Sequence, residues 1–190
     1  MMPAGLTARL VYSPNAGGSG AADKASAVHY GAKKSGFDVT LSATDELHGM
    51  AGLTLDVGMS EVEQDATAAG ISGDIEEQTF SIKYATGAFT LGYQWSEEDM
   101  GRSSSQLEYT NTGYGVTFNV NDDLSIGYNH YESEQDNDTD VTAEATSIQI
   151  AYSMGGASIR LADISVDNGS YQTGADYDKD GTVLSVSLAF

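Results

Sequence analysis

Three aspartates near the C-terminus have a spacing that could do chemistry. Asp176-Tyr177-Asp178-Lys179-Asp180-Gly181 matches the start of a DxDxDG calcium loop. In such a loop alternate carboxylates point at one centre and the glycine permits a sharp turn. The twelfth position is Ser187, where an EF-hand needs Glu, and Ser187 lies in an alternating apolar segment. Asp176, Asp178 and Asp180 therefore admit two readings: a solvated acidic loop tip, or a weak Ca²⁺ site completed by another loop. His29, His48 and His130 stand on separate segments. His130 and Asp136 could be cast as a catalytic pair, but nothing in their spacing supports it. There is no Gly-x-Ser-x-Gly, Walker loop or HExxH, and with no cysteine there is neither a disulfide framework nor a thiolate metal site. The expectation is that the chain is not an enzyme.

The charges point elsewhere. The formal net charge of the 190 residues is -20. So acidic a chain repels nucleic-acid phosphates and favours cations. No run of about 18 apolar residues occurs, so no transmembrane helix is expected. Met1-Met2-Pro3-Ala4-Gly5 lacks the basic and apolar regions of a signal peptide.

The elements that must position these residues have a period of 2. Leu184, Val186, Leu188 and Phe190 alternate with Ser185, Ser187 and Ala189; Phe89, Leu91, Tyr93 and Trp95 alternate with Thr90, Gly92, Gln94 and Ser96. Such alternation puts the two sets on opposite faces of a strand. It recurs in ten segments, roughly 5–12, 25–44, 50–60, 76–85, 88–96, 105–120, 123–131, 143–153, 157–166 and 181–190. Two of them change phase midway. Val28 and Tyr30 give way to Phe37, Val39 and Leu41, and Leu107 and Tyr109 give way to Tyr114, Val116 and Phe118. Bulges near Lys34-Ser35-Gly36 and near Thr112-Gly113 account for both shifts. The connections alternate between short turns and long polar loops, and most of the acids fall in the long ones.

Two all-β architectures are open to such a chain, a soluble sandwich and an antiparallel transmembrane β-barrel. The loop alternation, the tyrosines on the apolar face (Tyr12, Tyr84, Tyr93, Tyr128, Tyr152) and the small polar residues opposite them favour the barrel. Arg9, Asp38, Asp56, Lys83, Gln94, Glu108 and Arg160 are then expected on the pore-lining face, because charge on a lipid face costs about 2–4 kcal/mol at mid-depth.

The hairpins Phe80–Tyr93 and Tyr114–Tyr128 and the terminal Leu188-Ala189-Phe190 resemble the sixteen-stranded general porins of alphaproteobacteria. The resemblance covers nearly the whole chain as a pattern of hairpins. It implies a bacterial outer-membrane location, among lipid and lipopolysaccharide, and a homotrimer whose pores pass small hydrophilic solutes by passive diffusion. It makes Phe190 the signal read by the barrel-assembly machinery, and 1–190 a single C-terminal portion of the barrel. A complete ten-stranded barrel is the alternative, since an even strand number permits closure. The acidic loops lead us to expect mild cation selectivity. The competing functions are a surface or adhesive barrel with loops bridged by divalent cations, and a soluble β-sandwich binding module.

Overall fold

The computed structural model describes residues 2–14, 33–65, 70–103, 108–136 and 141–188. Ten strands follow one another: β1 (Leu6–Ser13), β2 (Lys33–Thr44), β3 (Leu53–Gln64), β4 (Ile75–Thr86), β5 (Phe89–Asp99), β6 (Glu108–Asn119), β7 (Leu124–Asp136), β8 (Thr142–Met154), β9 (Ala157–Asp167) and β10 (Lys179–Leu188). A one-turn helix, α1 (Asp45–His48), sits in the β2–β3 connection. Each strand pairs antiparallel with its chain neighbour, giving one sheet ordered β1 to β10. β1 and β10 are its two edges and do not pair with each other, so the sheet is open. A closed ten-stranded barrel would need that last pairing with its own stagger.

The register sorts the side chains into two faces, because directly opposed residues share a face. One lateral row runs Leu53, Tyr84, Leu91, Val116, Tyr128, Ile148. The row Thr90, Thr117, Gly127, Gln149, Ala162 occupies the other face. Apart from Leu53, the apolar residues of this face are not buried. Leu91 is 45% exposed, Ile148 56% and Val186 58%. A sandwich would cover this face with a second sheet; all ten strands lie in one sheet and no second sheet covers the face among the described residues, so the soluble sandwich is excluded. This uncovered apolar belt, interrupted on β9 where Asp163 opposes Ile148, suits a hydrocarbon solvent.

The strands reach further toward the long connections than the hydrophobic pattern shows. β3 runs to Gln64, β5 to Asp99 and β7 to Asp136. The 137–141 connection is consequently shorter than 45–52, which softens the loop-length alternation. A register shift lies between Lys33 and Gly36, as expected near Lys34-Ser35-Gly36. Val28, Tyr30 and Leu107 lie outside the described residues. β6 pairs on both sides with no shift, so there is no bulge at Thr112-Gly113. Glu108 is therefore not on the polar face: it stands in the row Phe37, Glu61, Glu76, Asp99, Glu108, Asp136 of the apolar side. The physical reason is Tyr109. Its hydroxyl accepts a hydrogen bond from Gln135 Nε2 at 2.7 Å on the polar face, which turns its neighbour outward.

The two faces predict opposite outcomes for adjacent residues. Leu91→Arg places a charge in the apolar belt at a cost of about 2–4 kcal/mol and should abolish folding into vesicles, whereas Thr90→Arg should fold normally. Heat-modifiable gel mobility measures both, and equal folded yields would overturn the register.

Candidate functional site

The polar face is built mostly from small residues. Its central row reads Arg9, Thr40, Gly58, Thr79, Ser96, Asn111, Ser133, Ala143. Arg9, Asp38, Asp56, Lys83, Gln94 and Arg160 all belong to this face, opposed in register by polar or small neighbours except where Val11 faces Asp38. All but Asp56 are exposed. Asp56 accepts a hydrogen bond from Ser81 Oγ at 3.1 Å. Among the described residues no carboxylate lies within 4.0 Å of Arg9, Lys83 or Arg160, so their fields extend into the space the face borders.

The structure puts in strands several acids that sequence reasoning assigned to loops: Glu61, Glu97, Glu98, Asp99, Glu132, Glu134 and Asp167 among them. Glu77 and Glu98 are directly opposed on the polar face, in the row Asp38, Ser60, Glu77, Glu98, Tyr109. Most of the other strand acids, including Glu61, Glu76, Asp99, Glu132, Glu134, Glu144 and Asp167, are above the belt on the apolar side. The period-2 alternation continues past the apolar residues, and that continuation was the available signal.

Two folded connections crowd the polar face at the long-loop end. The first joins the β3–β4 and β5–β6 connections. Ile71, Ile75 and Met100 are buried there, and Ile75 opposes Val62 on the polar face. Gln64 is buried beside them, donating from Nε2 to Met100 O at 2.9 Å and Gly73 O at 3.1 Å. Ser72 N and Gly73 N both donate to Gly101 O. Gly101 has φ +58, and a Cβ there would collide with the carbonyl oxygens of Gly73 and Asp74, so only glycine fits.

The second is the β9–β10 connection. A single 3₁₀ turn, Gly169–Tyr171, lays Tyr171 over β6 and β7. The Tyr171 hydroxyl is 2.7 Å from Ser133 Oγ, and its ring packs at a tilt against Tyr109, with centroids 5.6 Å apart. Ser133 Oγ donates to Asn111 Oδ1 at 2.6 Å, as does the Tyr131 hydroxyl. The proton of Ser133 is thereby committed, so Tyr171 is the donor to Ser133. Burial pushes the Tyr171 phenol above its ordinary range, against the lowering effect of Ser133, and keeps it protonated for that role. Asn168 Nδ2 ties the same connection to Thr142 O at 3.0 Å. Asn168, Ser170 and Tyr171 all have positive φ, a strain that side-chain bonds on both sides of the turn hold in place.

The three aspartates of the calcium-like motif go separate ways. Asp178 Oδ1 accepts from Asn168 N at 3.1 Å, and Asp180 is in β10 accepting from Ser165 Oγ at 2.8 Å. Lys179 Nζ donates to the Asp176 carbonyl oxygen at 2.6 Å. Among the described residues they do not form a ligand cluster; the group that does is His130, Glu132 and Glu144. Phe190 lies outside the described residues.

The family profile described as Gram-negative porin matches residues 3–170. The chain belongs to the Gram-negative porin family. Solved structures carry the same fold at low identity. A porin structure is 14% identical with a TM-score of 0.66, covering all of this chain and 60% of that one. A Salmonella typhi OmpF in complex with daunomycin is 12% identical with a TM-score of 0.71, covering 96% of this chain and 56% of that one. OmpT of Vibrio cholerae, an outer membrane protein folded in vitro, is 15% identical with a TM-score of 0.53, covering 81% of this chain and 52% of that one. The porin chain described here thus spans little more than half the length of the solved porins it matches. No curated protein matches it. Family and fold together place it in the outer membrane of a Gram-negative bacterium, as an antiparallel sheet of a porin β-barrel.

The buried amide of Gln64 gives a local test. Gln64→Leu removes two donors and leaves buried carbonyls at Gly73 and Met100, a cost of about 1–3 kcal/mol. Amide exchange at Ser72 and Gly73 should rise by about 10–100-fold, with strand amides unaffected.

Proposed function

We propose that the chain forms wall of a water-filled pore for passive diffusion of ions and small hydrophilic solutes. The observation that carries this reading is the division of faces: an uncovered apolar belt on one side and small polar residues with charged side chains on the other. Arg9, Asp38, Asp56, Lys83, Gln94 and Arg160 line the lumen, joined by Glu77 and Glu98. Such side chains tune ion flow by their field. The ten strands supply part of a larger barrel, a reading supported by the two unpaired edges and by the share of the solved porins covered. Assembly as a homotrimer among lipopolysaccharide, through Phe190 and the barrel-assembly machinery, accords with the family.

The β9–β10 connection narrows this pore, with Tyr171 as its anchor. The channel is mildly cation-selective, through Asp38, Glu77 and Glu98 near the long-loop end. Lys83 and Arg160 oppose them deeper in, and all are screened within about 8–10 Å at physiological salt.

Planar-bilayer recording of the full-length protein tests both points. We expect discrete conductance steps and a reversal potential across a KCl gradient that favours K⁺ at low salt and fades at high salt. Tyr171→Ala should raise single-channel conductance, while Glu77→Gln with Glu98→Gln should shift the reversal potential toward anions. An absence of steps from folded protein would remove the pore reading and leave a non-channel surface barrel. Anion preference at low salt would give the basic residues control.

A further inference from the structure

The acids on the apolar side of the sheet include one group with a different composition. His130 and Glu132 are two residues apart on β7 and so share a face. Glu144 of β8 is directly opposite Glu132, and Thr146 is directly opposite His130. The four side chains form the corners of a small rectangle above the apolar belt. One ligand atom each from His130, Glu132 and Glu144 lies within 4.8 Å of the other two.

We propose that His130, Glu132 and Glu144 bind a divalent transition metal of the zinc class. Three donors at about 2.0–2.2 Å from one tetrahedral ion stand roughly 3.3–3.6 Å apart, so small side-chain rotations close the site. The imidazole is already oriented. Its Nδ1 is 3.1 Å from Thr146 Oγ1, and its ring packs on Tyr114 with centroids 5.0 Å apart. With Thr146 accepting from Nδ1–H, the Nε2 lone pair faces the carboxylates, the arrangement that metal-bound histidines take from their outer partners. Nε2 is 2.8 Å from Glu132 Oε1, a contact that one shared proton bridges and that a metal ion replaces.

The charges around the site call for a cation. Glu132 and Glu144 are directly opposed, which is repulsive between strands. Asp167 is directly opposite Glu144 on the next strand, extending the row of carboxylates. Among the described residues no lysine or arginine lies within 4.0 Å of any of the three. The donor set selects the metal. One imidazole with two carboxylates suits zinc, copper or nickel, whereas calcium and magnesium prefer all-oxygen shells with more ligands. Three protein donors leave a coordination position for water, facing away from the sheet.

The site is on the opposite face from the proposed pore wall, so it stands or falls without the pore reading. The test is Zn²⁺ titration of the folded protein in detergent, against a competing fluorescent chelator. One Zn²⁺ per chain is expected to resist a large excess of Ca²⁺ and Mg²⁺. His130→Gln and Glu144→Gln should each abolish that equivalent, and Thr146→Val should weaken it about 10–100-fold. Asp178→Asn should leave it unchanged. Gel mobility confirms folding of each variant, and Thr146→Val decides the matter if the ligand variants fail to fold. Undiminished Zn²⁺ binding by folded His130→Gln or Thr146→Val, or full displacement by Ca²⁺, would overturn the site and leave a diffuse acidic surface.

Discussion

A peptide group in hydrocarbon has no water to bond, so each strand in such a sheet must find its partners in the next. In this porin that requirement is met by an unbroken meander, each strand hydrogen-bonded to its neighbour in sequence. Everything else is arranged around it. Pairing fixes the register, and the register decides whether a side chain meets lipid or water. With a period of 2, a slip of one residue would exchange the faces along the whole strand. Among the described residues, the register shift between Lys33 and Gly36 is thus confined to the long-connection end of β2, beyond the belt.

The acidic residues show how the same register is used above the belt. There the apolar face no longer touches hydrocarbon, and carboxylates replace leucine, valine and tyrosine at the same alternate positions. Glu97 and Asp99 continue the line of Phe89, Leu91, Tyr93 and Trp95 on β5. Glu132, Glu134 and Asp136 continue that of Ile126 and Tyr128 on β7. The polar face has a different character, with a few carboxylates set among basic residues. The net charge of the chain therefore says more about its outer rim than about the space its polar face encloses.

The strands and their faces were legible because hydrophobic alternation depends only on neighbouring residues. That is why Leu91 and Thr90 were assigned correctly to opposite sides. The strand ends were not legible, since an acid at an alternate position resembles an acid in a loop. Glu108 was misplaced because Tyr109 was taken for a belt residue, when its hydroxyl is satisfied on the other face by Gln135. The DxDxDG spacing misled for a related reason. Asp180 belongs to β10 and accepts from Ser165, while Asp178 accepts from Asn168 N. Tyr171 and Gln64 could not be found at all: their partners, Ser133 and Met100, are set by how connections fold back. His130 and Glu144 meet only through the β7–β8 register, though alternation on β7 already put His130 and Glu132 side by side.

Neighbour-only pairing also governs how the sheet is made. Loop-closure entropy grows with the length of chain between partners, and here no strand waits for a distant one. The β4–β5 and β8–β9 turns bring their strands together after two residues each. Each hairpin is a local event, and a finished hairpin offers its edge as the template for the next. The architecture is accordingly modular in pairs of strands. Inserting or deleting two consecutive strands keeps every remaining partner, returns the chain to the same side of the membrane and preserves which face meets lipid. Removing one strand would do none of these. Barrel circumference in such a meander can thus change by duplication of hairpins, with the wall chemistry of the existing strands intact.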